Sequence, residues 1–539
     1  MTPVTLQKRI KTAGVMALGV FLFAIARTGF GYTTSGTAFT TDGSISDVNA
    51  ALSAAPAGDT IIIPPGTFTW GTGGAQVNVN SAVNLLGSGT GQTTIVLDPS
   101  FSSGYSNVIH ICSAATVGNF SIVAASNAVG PFYAQGTNGW RITNVNYNPQ
   151  ASAGVAHFCD SEGNYGLIDS STITGGEGDD ELIFARGPSN SWQTPASMGT
   201  ANSLIVEDCT FGGAGYVCDA NSNARMVVRF CTITGPEKVD SHGLYSNTPA
   251  RGVRQTEWYN NTWTCGTQSV ALMELRGGTG MIFNNTNLNN TMGFYKMNEY
   301  GCLDSGGNFG NTYETPYNYP VPDQVGEGED IYVGGTNQGA FQPVGYVQNT
   351  GGSAPVYSWN NIQPGTGEQS VWLPYDAIVN SSAIAIYQSE TGNPNASFTM
   401  YNIIESNRDY FTGSALYNGG SETYAAFNGG GNGIGVGVGT TAQMNAITPT
   451  VTGVGFWVTD QGSWNTKLAP NTSGELFTWN GSAWVLDYAP YTYPDPIRGT
   501  GGWVSSAGTY IFTPYSAAAA ASAPPAPTGL RVTGTGSGS

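Results

Sequence analysis

Charge is scarce in this chain. Of 539 residues only 10% are Asp, Glu, Lys or Arg, and the 17 basic residues are outnumbered by 35 acidic ones. So little charge excludes long solvated helices, whose outer faces need it. The longest N-terminal apolar run, Ala13 to Ala26, falls short of the roughly 20 residues of a bilayer-spanning helix. Close CxxC pairs are also missing: the cysteines at 112, 159, 209, 218, 231, 265 and 302 stand singly. That removes a zinc or iron–sulfur reading, and an odd count leaves at least one thiol unpaired in a monomer. No acidic stretch has EF-hand spacing.

Glycine is plentiful, with 76 residues, Asn, Ser and Thr are abundant, and 40% of the chain is hydrophobic. Uncharged hydrogen-bonding groups therefore cover the surface, and short strands joined by tight turns fit better than helices. Lys8, Arg9 and Lys11 before the apolar run read as an export signal, with a small-x-small end at Ala24-Ile25-Ala26. Cleavage nearer Gly31 or retention as an anchor are the other outcomes. Without residues 1–31 the chain loses Lys8, Arg9, Lys11 and Arg27, and its formal charge is 13 minus 35, or −22. Such a field repels nucleic acid and anionic membrane, and exported chains permit disulfides without requiring them.

The stretch Ser46 to Trp70 predicts a short amphipathic helix, a Gly58-Asp59 turn and a strand at Ile61 to Ile63 ended by Pro64-Pro65-Gly66. Beyond it a loose pattern recurs: apolar, any, apolar, two residues, small or polar, any, apolar. It fits Trp140, Ile142, Val145, Tyr147, then Gly166, Ile168, Ser171, Ile173, then Leu204, Val206, Cys209, Phe211, then Met226, Val228, Cys231, Ile233. It continues as Thr256, Trp258, Asn261, Trp263 and Met281, Phe283, Thr286, Leu288, with a weaker early copy at Phe120, Ile122, Ala125. Successive second anchors lie 20, 26, 38, 22, 30 and 25 residues apart, which is coil length for a solenoid with side loops such as Pro188 to Gly199. A helix opening such a stack would cover its first coil. A sandwich would use similar strands.

Past Cys302 the rhythm weakens. Tyr313 to Val333 reads as a long loop, Val356 to Ile362 and Ala383 to Ile386 as later rungs, and Gly419 to Gly437 as a surface excursion. Val454 to Thr459 and the hairpin Leu476 to Leu486, turning at Asn480-Gly481, predict a small cap. The expected organisation is residues 1–31 signal or anchor, 32–415 parallel β-helix, 416–512 irregular loop and β-rich cap, and 513–539 a low-complexity tail.

Several stretches resemble the pectate-lyase-like superfamily, and more narrowly a group of uncharacterised secreted bacterial β-helix proteins. They are DVNAALSAAPAGDTIIIPPGTFTW, His242-Gly243, Arg251-Gly252-Val253-Arg254, Glu257 to Asn261, Arg276 to Gly280, Ile282 to Asn285, Asn407 to Phe411 and Tyr491 to Pro496. The resemblance covers roughly residues 40–500. It implies an all-β, single-stranded right-handed parallel β-helix with an N-terminal capping helix and a small C-terminal β cap. It does not fix chemistry, because that superfamily holds lyases, hydrolases, epimerases, tail fibres and adhesins. The four short motifs of pectin hydrolases, led by Asn-Thr-Asp, are missing, and so is the calcium-binding acidic set with Arg of pectate lyases. PPAPTGLRV resembles the opening strand of a fibronectin type III module, but too few residues follow for a sandwich of about 100.

Cleaving a glycosidic bond needs a proton donor or acceptor and groups that stabilise developing charge. On a parallel stack, residues of neighbouring coils sit about 4.8 Å apart, so carboxylates on adjacent rungs meet without a linear motif. Polar residues are densest between 177 and 276. Candidate proton-handling residues are His242, Glu274, Asp219 and Asp180, flanked by Glu177, Asp179, Glu181 and Asp240. Candidate substrate contacts are Arg251, Arg254, Arg276 and Tyr259, the arginines for a carboxylate or sulfate and the tyrosine for sugar stacking.

Each has a plainer role. His242 caps a turn, Arg251 and Arg254 tie loops or pair with Glu257, and Glu274 with Arg276 forms a surface ion pair on one strand face. Asp179, Asp180 and Glu181, like Glu327, Glu329 and Asp330, form solvated turns or gather Ca²⁺, the one cofactor the residues raise. Cys209 and Cys231 predict stacked internal thiols, with a cross-rung disulfide next, and Ser171, Asn261 and Thr286 fill the same slot as a polar ladder. Trp258 and Trp263 fall inside; Trp192 and Tyr295 are further aromatic candidates, and Trp479 with Trp484 packs the cap or meets carbohydrate.

The leading expectation is a secreted protein that binds or cleaves extracellular polysaccharide, as a lyase or hydrolase if it is an enzyme. The alternative is a noncatalytic adhesin or self-assembling filament protein. Nucleic acid is not an expected partner, and the export signal disfavours a phage fibre.

Overall fold

The computed structural model describes residues 31–101, 107–124, 130–149, 157–175, 181–213, 216–235, 238–243, 252–264, 273–288, 295–297, 325–326, 353–363, 367–368, 404–413, 435–499, 503–506 and 509–512, with short pieces at 385, 388–389 and 392–396. Over these residues it is an all-β, solenoid-like stack of parallel strands. Each turn of chain gives a strand to each of three ladders. Tyr216–Asn221, Arg225–Arg229 and Thr232–Thr234 form one such turn, and Lys238–Ser241 begins the next beside Tyr216–Asn221. One ladder is a sheet of nine parallel strands from Val77–Val79 to Tyr295–Met297.

The corner between the other two ladders explains the repeat. There Asn119, Asn144, Ser170, Asp208, Phe230, Asn260, Asn284 and Asn360 all have positive φ, between 49° and 62°. Asn, Asp and Ser tolerate this left-handed conformation because their short side chains bond locally. The next residue of each turn points inward, giving the buried column Phe120, Val145, Ser171, Cys209, Cys231, Asn261, Asn285 and Asn361. Cys209 and Cys231 are free thiols inside it, as expected.

Two expected registers need correction. Ile142 pairs with Val117 and Tyr147 with Ile122, so the first copy is Ala115, Val117, Phe120, Ile122. Trp258 pairs with Ile282 and Thr262 with Thr286, so the last copy is Gly280, Ile282, Asn285, Asn287. Thr286 belongs to an outward column with Thr172, Thr210, Thr232 and Thr262. A one-residue slip moves a strand's side chains to the other face, which is why Leu288 is 50% exposed. The sequence pattern does not separate the two registers because Met281, Ile282 and Phe283 are all apolar, and the fold buries all three.

The polar ladder is real once shifted to Asn285. Its Oδ1 accepts from the Asn261 backbone N–H and Nδ2, both at 3.1 Å, while its Nδ2 donates to Trp258 O and Asn361 Oδ1 at 2.8 Å. Replacing Asn285 with Ala orphans the buried Asn261 N–H and strips a donor from the Trp258 carbonyl. At about 1–3 kcal/mol for an unsatisfied buried group, unfolding in urea should show a loss of roughly 2–4 kcal/mol. An unchanged midpoint would mean the ladder does not bear on stability.

Helix α1 (Ile45–Ala54) starts at Ser44, whose side chain accepts from Asp47 N, and it places Val48, Ala51 and Leu52 in the core against strands Thr60–Ile63 and Val77–Val79. At the other end Val436–Gly439, Gly455–Val458, Glu475–Trp479 and Trp484–Tyr488 form a four-stranded sheet that includes the expected hairpin. This sheet covers an outward face of the stack. Tyr259, Phe283 and Trp359 lie stacked on successive coils at 4.6 and 4.4 Å, and Trp457 packs on the last two. Tyr259 is therefore fully buried, correcting its expected place outside. Its hydroxyl accepts from Arg229, and burial pushes the phenol pKa up.

The chain then returns along the coils. Arg229 donates to the Tyr491 and Thr492 carbonyls, and Tyr493 stacks on Phe230 at 3.7 Å. Among the described residues no helix is long and apolar enough to cross a membrane. Residues 1–30, 313–324 and 327–333 of the expected loop, 383, 384 and 386 of the expected rung and 419–434 of the expected Gly419–Gly437 excursion lie outside the described residues; Val436 and Gly437 belong to a strand of the terminal sheet, which corrects that end of the excursion.

Candidate functional site

The outer face of the nine-stranded sheet carries the densest chemistry. Its register aligns Asn78, His110, Tyr133, Asp160, Phe184, Asp219, Asp240, Glu274 and Lys296 on consecutive strands. Alternation along each strand sends one residue in and the next out, so a single column gathers residues scattered over some 200 positions of sequence. Three carboxylates, Asp219, Asp240 and Glu274, occupy three successive coils.

Two basic side chains organise that end. His242 Nδ1 lies 2.8 Å from Asp219 Oδ2, and Asn221 Nδ2 donates to the same oxygen at 3.3 Å. Burial raises the pKa of Asp219, but His242 and then Arg276 outweigh it, and the net direction is down. An ionised Asp219 only accepts, so His242 Nδ1 is the donor in this contact. Arg276 pairs with Asp240 and with Glu274, the latter at 3.1 Å. Glu274 and Arg276 thus pair as expected, but at 3% and 9% exposure they are not a surface pair. The side chain of His242 keeps 13% of its surface open.

A second cluster lies earlier in the column, and of its residues the sequence pattern picks out Glu181 alone. His157 Nδ1 bonds Asp160 at 2.6 Å, its Nε2 lies 3.3 Å from Glu181, and its ring stacks on Phe184 at 5.1 Å. Arg186 covers the same phenyl ring at 4.4 Å, Tyr133 donates to Glu162, and His110 packs on Tyr133 at 5.3 Å. Alternation in Cys159 to Glu162 is the available signal, but the coil repeat covers the other two ladders and sets no register for this one.

Burial opposes the charge on His157, yet the hydrogen bonds to Asp160 and Glu181 outweigh it and its pKa is pushed up to about 9. A raised histidine stabilises the fold fully below the unfolded value near 6.5, and that contribution is lost as pH rises through about 9. The stability advantage of wild type over His157→Gln should therefore shrink by up to about 3 kcal/mol between pH 6 and pH 9.5. A difference independent of pH would show that His157 is not held protonated.

The other candidates disperse. Arg254 is fully buried, donates from Nε and Nη2 to Thr194 O at 3.3 and 3.2 Å, and faces Trp192 at 4.9 Å, away from the column. Glu257 does not pair with it: its carboxylate accepts from Gly199 N at 2.9 Å and Tyr488 OH at 2.7 Å. Trp192 is buried and donates to Gly252 O, while Trp479 and Trp484 are half-buried and 5.6 Å apart on the terminal sheet. Asp180, Arg251, Asp179, Glu177, Glu327, Glu329, Asp330, Cys265 and Cys302, and the side chain of Tyr295, lie outside the described residues. Among the described residues no three His, Cys, Asp or Glu side chains are grouped to hold a metal ion.

No family model matches the chain, and no curated protein does. Among solved structures the chain is similar to a PL6 family polysaccharide lyase from Pseudopedobacter saltans, at 13% identity over 63% of this chain and 82% of that one, with a TM-score of 0.32. It is also similar to an alginate lyase from a Paenibacillus strain (15% identity, 48% of this chain and 98% of that one, TM-score 0.29). A rice weevil pectin methyl esterase gives 16% identity over 40% of this chain and 73% of that one, with a TM-score of 0.29. Scores this low carry no argument about chemistry, which rests on the residues themselves.

Proposed function

We propose that this chain is an exported right-handed β-helix that binds and cleaves extracellular polysaccharide along the outer face of its nine-stranded sheet. The coil runs within residues 32–415 with α1 against its first strands, and the described residues 435–499 lie along its outer face. The observation that carries the reading is the column Asp219, Asp240, Glu274 with His242 and Arg276 at hydrogen-bond range. His242 is the acid–base group, Asp219 its positioning partner, and Arg276 the cation that would face developing negative charge. In the earlier part of the column His110, Asp160 and Phe184 are partly exposed, around a buried Tyr133, and offer the sugar chain a path along the coils. The test is incubation of the full chain with neutral and acidic polysaccharides, following reducing ends and absorbance of unsaturated products, with and without Ca²⁺. Product from at least one substrate is expected; none from any of them would sink the reading.

One observation favours a noncatalytic surface protein instead. Asp219, Asp240 and Glu274 are each at most 3% exposed, as expected of ion pairs that staple neighbouring coils. In that case substitutions in the column would lower stability without any activity to lose.

A further inference from the structure

A cavity of about 640 Å³ opens on another side of the molecule, between the Pro188–Gly199 loop, the coils carrying Met281 and Tyr357, and the terminal sheet. None of the column residues lines it. Its size is that of a small-ligand site. Its walls combine apolar and aromatic surface with polar groups, among them Trp479, Asn480, Asn407, Arg408 and Asp487.

The walls are held by buried polar side chains that the coil itself does not require. Arg225 donates to Ser191 O at 3.0 Å, Thr194 Oγ1 at 2.7 Å and Pro195 O at 3.1 Å, and also to the Ser197 hydroxyl. Arg254 holds Thr194 O, and Gln255 accepts from Ser197 N at 2.6 Å. Glu257 then joins opposite walls, accepting from Gly199 N in the loop and from Tyr488 OH in the sheet. Tyr357 OH donates to Gly453 O at 2.7 Å, a second wall-to-wall bond. Arg225, Arg254, Gln255 and Glu257 are each at most 5% exposed, and leaving such groups unpaired is costly. A loop of 12 residues inserted in one coil is thus fixed in place before any ligand arrives.

We infer that this cavity is a preformed binding site for a short run of pyranose sugars, separate from the column. The half-buried Trp479 indole supplies a flat apolar face for a sugar ring, and Asn480, Asn407, Arg408 and Asp487 surround it with donors and acceptors for hydroxyl groups. The ligand class rests on the polysaccharide reading above; the location and rigidity of the site do not.

The test is calorimetric titration of the full chain with neutral gluco- and xylo-oligosaccharides and with uronate oligosaccharides. It uses wild type, Trp479→Ala and Ser353→Trp. Ser353 is exposed at the cavity and its replacement fills the site without removing any packing, which guards against a Trp479 variant that fails to fold. One of the two sugar classes is expected to bind. Trp479→Ala and Ser353→Trp should each weaken that binding at least tenfold. Binding of no oligosaccharide, or binding that Ser353→Trp leaves unchanged, would overturn the inference. Binding at this site by a chain that cleaves nothing would defeat the catalytic reading of the column and leave this one standing.

Discussion

His242→Ala is expected to lower product release by about 10²- to 10⁴-fold, the range general acid–base catalysis contributes. The ring is the most open of the five side chains at its end of the column: its Nδ1 is engaged by Asp219 and its side chain is 13% exposed, against 10% or less for the others. Asp219→Asn keeps an acceptor for Nδ1 but removes the charge, so it should lose part of the rate and fall between wild type and His242→Ala. Rate measurements on both variants, with far-ultraviolet circular dichroism to show that the coils persist, separate chemistry from folding. If His242→Ala cleaves as fast as wild type, the ring is a turn cap and the acid–base group lies elsewhere. His242→Gln, which can still donate to Asp219, should restore stability without restoring the rate.

The residues that made the stack legible were those whose environment is set by the coil itself. Ile142, Ile168, Val206 and Val228 occupy one inward position because strand alternation and the left-handed corner repeat in every turn, so local sequence determines them. Asp219, Asp240, Glu274, His242 and Arg276 could be brought together for the same reason. What local pattern could not carry is contact between distant parts of the chain. Tyr259 reads as an outward residue, and it is one, but residues some 200 positions later cover it. Arg254 sits in the dense polar stretch, yet its guanidinium turns to a loop 60 positions earlier. The sequence does not mark His157 and Asp160 because the register of their strand depends on Tyr133 and Phe184, which carry no polar repeat.

Glu207→Ala is expected to destabilise the protein by about 3–5 kcal/mol, the cost of leaving a buried charge without its partner. Glu207 is fully buried, and its two oxygens make four bonds. Oε2 accepts from Arg229 Nε at 2.9 Å and Nη2 at 2.6 Å, while Oε1 accepts from Asp495 N at 3.1 Å and Arg498 Nη1 at 3.0 Å. The two arginines also hold the returning segment, Arg229 through the Tyr491 and Thr492 carbonyls and Arg498 through Asp169 and Asp208. Removing Glu207 should therefore loosen residues 491–498 first, read as new protease cleavage there at urea concentrations that leave the wild-type segment intact. Joint replacement of Glu207 and Arg229 by Met should cost less than Glu207→Ala alone, because no charge is then stranded. The same segment has its own pH dependence. Burial, and after it the charge of Glu207, raises the Asp495 carboxyl to about 6. A carboxyl raised in the folded state binds its proton more tightly there than in the unfolded chain, so stability falls as pH rises from about 4 to about 6, by at most roughly 3 kcal/mol. Because burial is the larger cause, most of that slope should survive in Glu207→Ala, whereas Asp495→Asn should abolish it. A wild-type stability that is flat from pH 4 to pH 6 would show that Asp495 is not held in this buried state, and with it that the returning segment does not close over Glu207.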